Sequence, residues 1–334
     1  MPQAGLEYAV GVDLGGTNLK VALVERTTGI VRKATLESEA SGGPHRVLDR
    51  IAQGIERVAL AAPERPLVRG IGLGAPGAVS LDRTTVTKPP NLPGWDVVDL
   101  PRQLGRRLQT MDIDLDGPTI VENDANVAGL GSAFYGAGRP FDSFLMVTLG
   151  TGVGGAIIVE NRLFRGATGA AGEIGHMSIN YEGPYDRAGV SGAIEAYLGQ
   201  RFLSHHARYQ LMARETHLHE TAGRDLCDVT PRQLHTAAVA GDKAAQDVLA
   251  WAGHKLGVAI GSAINLLDIR KVVVGGGVSN ADHFLLDPAR ETVKRFVIPG
   301  MSEGVEILRE TAGNDVALLG AARLVFEHYD DLDD

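Results

Sequence analysis

Apolar residues flank glycine-rich turns at two places along the chain, and each place has the pattern of a β-hairpin. The first is Val10–Asn18, followed by the alternating run Leu19–Val24. The second is Leu145–Gly155, followed by Ala156–Val159. An apolar run, a glycine-rich turn and a second β-branched run predict strand, turn and strand. Two such units indicate two related halves, each with a turn whose backbone N–H groups can approach a phosphate.

Elsewhere the pattern predicts helices alternating with buried strands. Helices are predicted at Gly43–Ala62, around Leu100–Leu108, from Asn123 to about Tyr135, at Ala244–Leu267 and at Asn314–Phe326. Strands are predicted at Val68–Leu73, Thr119–Glu122 and Lys271–Val274. This alternation predicts an α/β protein with substantially parallel sheets.

The length of 334 residues favours two domains over one core. We place the boundary near residue 120, so that residues 1–120 form one α/β domain and residues 121–311 a larger one. The C-terminal helix, about 312–330, is expected to pack back on the first domain. The acidic end, residues 330–334, is expected to be frayed and solvated.

Composition excludes several classes of protein. The chain is 44% hydrophobic and 22% charged, without an apolar run long enough to span a bilayer. One cysteine, Cys227, excludes an intramolecular disulfide and fits a reducing, cytoplasmic location. The formal charge of −9, with no basic block, argues against binding to nucleic acid or to an anionic membrane.

Two glycine patterns spell the dinucleotide-binding fingerprint, but their surroundings do not match it. Gly72-x-Gly74-x-x-Gly77 is followed by a polar, extended segment, and Gly150-x-Gly152-x-x-Gly155 by a β-rich run. The fingerprint requires a helix at that point, so a nicotinamide or flavin fold is not expected. No P-loop sequence occurs.

Asp124 is the first candidate for catalysis because it follows a predicted strand and begins a predicted helix, where α/β sheets place their ligands. A carboxylate there can take a proton from a hydroxyl group. The alternative is an aspartate that only caps its own helix. The neighbouring amides of Asn123 and Asn126, which suit polyhydroxyl groups, favour the functional interpretation.

Other polar residues near the turns suggest ligands. Asp13, just before the first glycine pair, can hold hydrated Mg²⁺ beside nucleotide phosphates, although it can also be a turn-forming aspartate. Glu173, His176 and Glu195 together suit the hydroxyl groups of one sugar. The alternative for His176 is a purely structural role. The alternative for Glu195 is a capping role in the first turn of a helix that Ser191 caps.

Three ordered motifs resemble the ROK family (repressor, open reading frame, kinase), chiefly its bacterial glucokinases and related hexose kinases. They are Glu122–Asn126, Leu149–Gly155 and Gly172–His176, and the likeness runs from Asp13–Thr17 to the helix containing Gly320–Ala322. The resemblance implies an actin/hexokinase-like (ribonuclease H-like) pair of α/β domains with an interdomain cleft. It also implies ATP-dependent phosphorylation of a hexose at the 6-hydroxyl, with glucose favoured.

The resemblance assigns the site residues to two sets, with Asp124 as the catalytic base. The sugar-binding set is Gly74, Ala75, Asn91, Asn123, Asp124, Glu173, His176 and Glu195. The ATP-binding set is Gly15, Gly16, Thr17, Asn18, Lys20, Gly150, Thr151, Gly152, Gly154, Gly276 and Gly277. ATP and Mg²⁺ are the expected cofactors, the metal being held by Asp13 through water.

One departure from the family concerns zinc. ROK proteins usually continue from the histidine into a cysteine-rich box that binds zinc together with it, and here the cysteine positions hold Asp186, Ala188 and Ala193. Structural zinc takes four ligands, so no zinc site is expected. We hypothesise that the Asp186 carboxylate accepts the ring N–H of His176 instead, as carboxylates do for metal-bound imidazoles.

Several interpretations remain open at this point. A kinase for N-acetylmannosamine, N-acetylglucosamine, mannose or fructose, polyphosphate as the donor, and a non-catalytic sugar-sensing protein share these motifs. An actin-type assembly ATPase is disfavoured because Glu173, His176 and Glu195 would have no role. A DNA-binding repressor is not expected, since only twelve residues precede Asp13. Because members of the family that it resembles are commonly oligomers, a homo-oligomer is expected, and a dimer is favoured.

Overall fold

The structure is a computed structural model that describes residues 7–59, 67–111 and 117–333. The strands are β1 Tyr8–Leu14, β2 Asn18–Glu25, β3 Gly29–Glu37, β4 Val68–Ala75, β5 Ala78–Val79, β6 Thr85–Thr87, β7 Val97–Asp99, β8 Thr119–Asn123, β9 Phe144–Leu149, β10 Val153–Val159, β11 Arg162–Leu163, β12 Lys271–Gly275 and β13 Glu306–Arg309.

The α-helices are α1 Gly43–Ala59, α2 Leu100–Thr110, α3 Asp124–Tyr135, α4 Glu195–Leu198, α5 Gln200–Leu211, α6 Leu218–Thr221, α7 Pro231–Val239, α8 Lys243–Leu267, α9 His283–Phe296 and α10 Val316–Asp333. Short 3₁₀ helices cover Ala40–Gly42, Ile174–His176, Gly277–Ala281 and Gly313–Asp315.

The chain divides into two compact units. The first comprises Met1–Pro140, Asn161–Ala171 and Asp315–Asp334, and the second Phe141–Glu160 and Gly172–Asn314. In this grouping β8 and α3 belong to the first unit, since β8 pairs with β4 and α3 packs on α10. The domain boundary near residue 120 stays a prediction.

The first unit contains a mixed sheet with the strand order β3-β2-β1-β4-β8. β1 is antiparallel to β2 and parallel to β4, and β4 is parallel to β8. The carboxyl ends of β1, β4 and β8 therefore meet at one edge. A small antiparallel sheet, β5-β6-β7, lies in the same unit.

The second unit repeats this arrangement. Its strands follow in the order β10-β9-β12-β13, with β9 antiparallel to β10 and parallel to β12, and β12 parallel to β13. Both glycine-rich turns therefore join the two antiparallel strands of a hairpin, as their sequences predict.

Local sequence explains where the helices begin. Asp99 caps α2, accepting the N–H of Arg102 at 2.9 Å, and Thr230 forms a capping box with Gln233 at the start of α7. Side-chain oxygens at these positions satisfy backbone donors that have no partner within the helix. The apolar stripe of α1 faces the core of the first unit, as amphipathic helices do.

The last helix belongs to the core of the first unit. α10 packs on β1, β4 and α3, and a Cβ at Gly320 would overlap the carbonyl oxygen of Val127. Glycine is needed at this crossing because the two backbones nearly touch.

The ends of α1 and α10 bear on two of the predictions. The helix predicted over Gly43–Ala62 is described from Gly43 to Ala59, and its last predicted residues, 60–62, lie outside the described part of the chain. The acidic end was expected to be frayed and solvated; Asp331 and Leu332 are exposed, but the chain is not frayed there, and Asp334 lies outside the described residues. α10 continues to Asp333, and Asp330 pairs with Arg26 and, at 2.8 Å, with Arg323. These two guanidinium groups hold the last turns of the helix in place.

Candidate active site

The carboxyl ends of β1, β4 and β8 bring together residues that are far apart in sequence. Asp13 lies opposite Gly74 in the β1–β4 pairing, and Gly74 lies opposite Glu122 in the β4–β8 pairing. One residue further along, Ala75 faces Asn123. This edge of the first unit therefore carries Asp13 at the end of β1 and, with β4 between them, the end of β8 from which Asp124 follows.

Asp124 is the first residue of α3, and its side chain is exposed. Its Oδ1 accepts a hydrogen bond from the N–H of Ala125 at 2.8 Å, which orients the carboxylate. A Cβ at Gly74 would lie 3.7 Å from Cα of Asp124 and 2.6 Å from Cγ2 of Val127. The small residue at position 74 thus lets β4 approach the start of α3.

The cap of α3 is Asn123 and not Asp124. The Asn123 Oδ1 accepts the N–H groups of Ala125 at 2.9 Å and Asn126 at 3.3 Å, and its Nδ2 donates to the Gly77 carbonyl at 3.2 Å. Because Asn123 has the capping position, the structure does not support the alternative in which Asp124 serves only as the N-cap. Both the oxygen and the nitrogen of the Asn123 side-chain amide are therefore hydrogen-bonded to the main chain.

The first glycine-rich turn is closed by a hydrogen bond from the N–H of Gly15 to the carbonyl of Asn18, at 3.0 Å. A Cβ at Gly16 would lie 2.8 Å from the carbonyl oxygen of Asn91, so the structure brings the turn and Asn91 together. Behind the turn, Lys20 Nζ donates to Asp13 Oδ2 at 3.0 Å. Thr17 and Asn18 are exposed at its tip.

Glu122 is a site residue that sequence reasoning missed. Its side chain is fully buried, and Oε2 lies 2.7 Å from Nε of Arg165 and 3.1 Å from Nε of Arg83. Its Oε1 accepts the N–H of Asn123 at 2.9 Å and Nδ2 of Asn126 at 3.0 Å. A charged residue between a buried strand and the Asn-Asp pair is the signal that could have revealed this network.

In the second unit, Glu195 supports the other glycine-rich turn. The turn is closed by a hydrogen bond from the Gly150 N–H to the Gly152 carbonyl at 2.9 Å. Oε2 of Glu195 accepts the N–H of Val153 at 3.0 Å, and a Cβ at Gly152 would overlap this oxygen. Glu195 begins α4, whose N-cap is Ile194, so the structure does not support the alternative in which Ser191 caps this helix.

The end of β12 packs on the same turn. Gly276 has a φ of +84°, and a Cβ there would overlap the carbonyl oxygen of Leu149. Gly277 has no heavy atom within 4 Å of its Cβ position. Positive φ and close backbone approach both require glycine at position 276.

His176 lies among carboxylates. Its Nδ1 is 2.6 Å from Oδ2 of Asp186, and its Nε2 is 3.8 Å from Oε2 of Glu173. The predicted hydrogen bond between Asp186 and His176 is therefore confirmed. Burial alone would lower the pKa of His176, but the hydrogen bond and charge of Asp186, helped by Glu173 and Glu195, raise it.

The predicted site residues divide between the two units. The first unit holds Asp13, Gly15, Gly16, Thr17, Asn18, Lys20, Gly74, Ala75, Asn91, Asn123 and Asp124. The second holds Gly150, Thr151, Gly152, Gly154, Glu173, His176, Glu195, Gly276 and Gly277.

Comparison with known proteins decides the family. The sequence profile of the ROK family matches residues 9–328. The chain belongs to the ROK family. Its fold is accordingly the actin/hexokinase-like α/β fold of the ROK sugar kinases to which it is structurally similar.

Similar proteins cover this ROK chain almost from end to end. The glucokinase of Halalkalibacterium halodurans is 32% identical over 95% of this chain and 94% of its own length. The glucokinase of Thermotoga maritima is 30% identical over 95% of this chain and 97% of its own. The crystal structure of a ROK family glucokinase from Streptomyces griseus, in complex with glucose and AMPPNP, superposes with a TM-score of 0.82 at 29% identity, covering 97% of this chain and 100% of that one.

Two kinds of feature, a membrane-spanning helix and a cluster of metal ligands, are absent from the described residues. Within residues 7–59, 67–111 and 117–333, no helix has the length and hydropathy that crossing a membrane would take. The same residues contain no group of three or more histidines, cysteines or acids arranged for a metal ion.

Proposed function

We propose that this ROK protein is an ATP-dependent hexose kinase that transfers the γ-phosphoryl group of ATP to the 6-hydroxyl of glucose. Similarity to glucokinases over nearly the whole chain supports the reaction. The structural observation that carries the proposal is the shared strand edge of the first unit, where Gly74 lies between Asp13 and the end of the strand that leads into Asp124.

In this proposal Asp124 activates the acceptor. Its carboxylate, oriented by the N–H of Ala125, takes the proton of the sugar 6-hydroxyl as the oxygen attacks the γ-phosphorus. The bond between the γ-phosphorus and the bridging oxygen breaks, and ADP leaves with that oxygen. A well-placed general base contributes about 10²–10⁴ in rate.

The two glycine-rich turns are proposed to bind the phosphate groups of ATP. Backbone N–H groups of Gly15–Asn18 and Gly150–Gly155 suit an anion because glycine lets the main chain approach it closely. Asp13, held by Lys20, is the carboxylate that would hold Mg²⁺ through water. When bound with ATP, the metal neutralises charge on the phosphate oxygens.

The acceptor's other hydroxyl groups are assigned to Glu173, His176 and Glu195. A carboxylate accepts two hydrogen bonds or more, so Glu195 can bind a hydroxyl while keeping its bond to the protein. Glu195 already accepts the N–H of Val153, which would link sugar binding to the turn proposed for ATP.

A panel of hexoses and donors tests the proposal. The purified protein is assayed with ATP or polyphosphate against glucose, mannose, fructose, N-acetylglucosamine and N-acetylmannosamine. We expect turnover of glucose with ATP and Mg²⁺, with the highest kcat/KM of the panel. Preference for another hexose would change the substrate and keep the mechanism, whereas sugar binding without turnover would make this a sugar sensor. Location in the cytoplasm and a dimeric state stay predictions.

A further inference from the structure

The His176 ring is held by a carboxylate that water does not reach. The His176 side chain is 36% exposed, whereas that of Asp186, whose Oδ2 lies 2.6 Å from Nδ1, is 0% exposed. A hydrogen bond from a ring N–H to a buried carboxylate fixes both the rotation and the tautomer of an imidazole. Nδ1 is thereby engaged with Asp186, and Nε2 lies on the side of Glu173.

Asp186 is itself fixed by the turn that follows it. Its Oδ1 accepts the N–H of Val190 at 2.8 Å, and its own N–H donates to the Val190 carbonyl at 3.1 Å. Gly189, at a φ of +85°, turns the chain back so that its N–H reaches the Asp186 carbonyl at 3.3 Å. Burial would raise the pKa of Asp186, but the hydrogen bonds from His176 and Val190 lower it.

The longer loop around this turn is closed by bonds of the chain itself. Isolated bridges pair Ser178 with Ala193 and Tyr185 with Ser191. The Ser191 hydroxyl also donates to the Tyr181 carbonyl at 2.8 Å. These bonds return the chain to the segment that leads into Glu195.

The residues of this loop do not fit a zinc ion. Structural zinc takes four ligands of the cysteine, histidine or carboxylate type. Asp186 and His176 are bonded to each other, and Ala188 and Ala193, at the other two positions where ROK proteins usually have cysteine, offer no donor side chain. No step of the proposed reaction is assigned to zinc.

We infer that Asp186 is a positioning residue for sugar binding, which fixes the His176 ring in place of a metal ion. With Nδ1–H donated to Asp186, Nε2 is the ring nitrogen that remains to form a hydrogen bond with a sugar hydroxyl. The identity of that ligand rests on the proposed function. The bond between Asp186 and His176 rests on the geometry of the second unit alone.

The test compares Asp186→Ala and Asp186→Asn with Glu182→Ala, an exposed acid in the same loop. Glucose binding is measured by calorimetry without ATP, and kcat and both KM values by a coupled assay. We expect Asp186→Ala to weaken glucose binding by about tenfold or more, as loss of a residue that orients a histidine does. The KM for ATP stays unchanged, and Asp186→Asn, which keeps an acceptor oxygen, is intermediate and serves if Asp186→Ala does not fold.

Two further readouts separate positioning from general stability. In NMR spectra, the ring Nδ1–H proton of His176 is expected in the wild type and in Glu182→Ala, and lost in Asp186→Ala. A chelator should leave the glucose affinity of the wild type unchanged, with far less than one zinc ion per chain by elemental analysis.

The outcomes distinguish failure of the positioning role of Asp186 from failure of the proposed function. Unchanged glucose affinity in Asp186→Ala, with the wild type binding glucose, overturns this inference and leaves the proposed function standing. One zinc ion per chain, together with loss of glucose affinity on chelation, overturns it as well. A wild type that binds no hexose, with the Nδ1–H proton in place, contradicts the proposed function and with it the sugar-binding role of Asp186.

Discussion

Gly150 and Gly152 occupy one turn of the second unit, yet a side chain would meet different surroundings at each. A Cβ at Gly152 would overlap the carboxylate of Glu195, whereas a Cβ at Gly150 would have no heavy atom within 4 Å. Neither has a positive φ. The two positions therefore separate the effect of contact from that of backbone conformation.

We expect Gly152→Ala to lower the free energy of unfolding by about 1–3 kcal/mol, because the methyl group forces Glu195 and the Val153 N–H apart. Gly150→Ala is the matched control and should change it by less than about 0.5 kcal/mol. Urea denaturation followed by circular dichroism measures both. Equal stability of the two variants would show that Glu195 does not support the turn.

At this scale the sequence revealed part of the site. The bond between Asp186 and His176 could be predicted because register placed a carboxylate where ROK proteins usually have a cysteine that binds zinc together with the histidine. The charge of Glu122 at the end of a buried strand signals a polar partner, but the identity of its partners Arg83 and Arg165 could not be predicted, since folding brings them to it. The bonding of the Asn123 amide to the backbone was equally hidden, because an Asn-Asp pair does not show which residue caps the helix.

Among the elements, α8 begins at a buried aspartate that joins it to the preceding loop. Asp242 accepts the N–H of Ala245 at 3.0 Å, the Thr216 hydroxyl at 2.6 Å and the N–H of His217 at 2.9 Å. Burial would raise the pKa of Asp242, but these hydrogen bonds outweigh it and lower the pKa.

Asp242→Ala is expected to lower the free energy of unfolding at pH 7 by about 2 kcal/mol, the upper end for loss of a helix cap. A lowered folded-state pKa gives stability that is present above the unfolded value of about 4 and is lost as the pH falls through the folded value. The difference from wild type should therefore be smaller at about pH 3 than at pH 7. The exposed Asp228→Ala is the control, and a pH-independent difference would contradict the role of the charge.

The junction between β8 and α3 depends on the buried carboxylate of Glu122. Glu122→Ala should destabilise the protein by about 3–5 kcal/mol, because Arg165 and Arg83 would lose the partner of their charge. Glu122→Gln keeps the acceptor for the Asn123 N–H and should cost less. Urea denaturation measures both, and an Ala variant as stable as the wild type would rule out this role.

For the whole molecule, local patterns predicted the elements and left their partners undetermined. Both hairpins follow from alternation around glycine, and α1 follows from helical periodicity. The return of α10 to the first unit depends on contacts with β1 and α3, which lie far away in sequence. The repeated strand order of the two sheets likewise depends on which strands pair, and hydropathy alone does not specify this.

The packing of α10 predicts the effect of truncation. Deleting residues 315–334 removes the helix that covers β1, β4 and α3, and should abolish the cooperative unfolding of the first unit. A chain shortened only after Asp331 keeps the Asp330 ion pairs with Arg26 and Arg323 and serves as the control. Thermal unfolding by circular dichroism distinguishes them. A cooperative transition of full amplitude in the longer deletion would mean that α10 is dispensable.

The most direct test of the central claim is the rate of glucose phosphorylation by ATP in Asp124→Asn, with Glu56→Gln, an exposed residue on α1, as the control. The account predicts that kcat falls by about 10²–10⁴ while calorimetric glucose binding changes little, because the amide keeps the shape of the carboxylate but cannot take the proton. A kcat within about threefold of the wild type would contradict the assignment of Asp124 as the base.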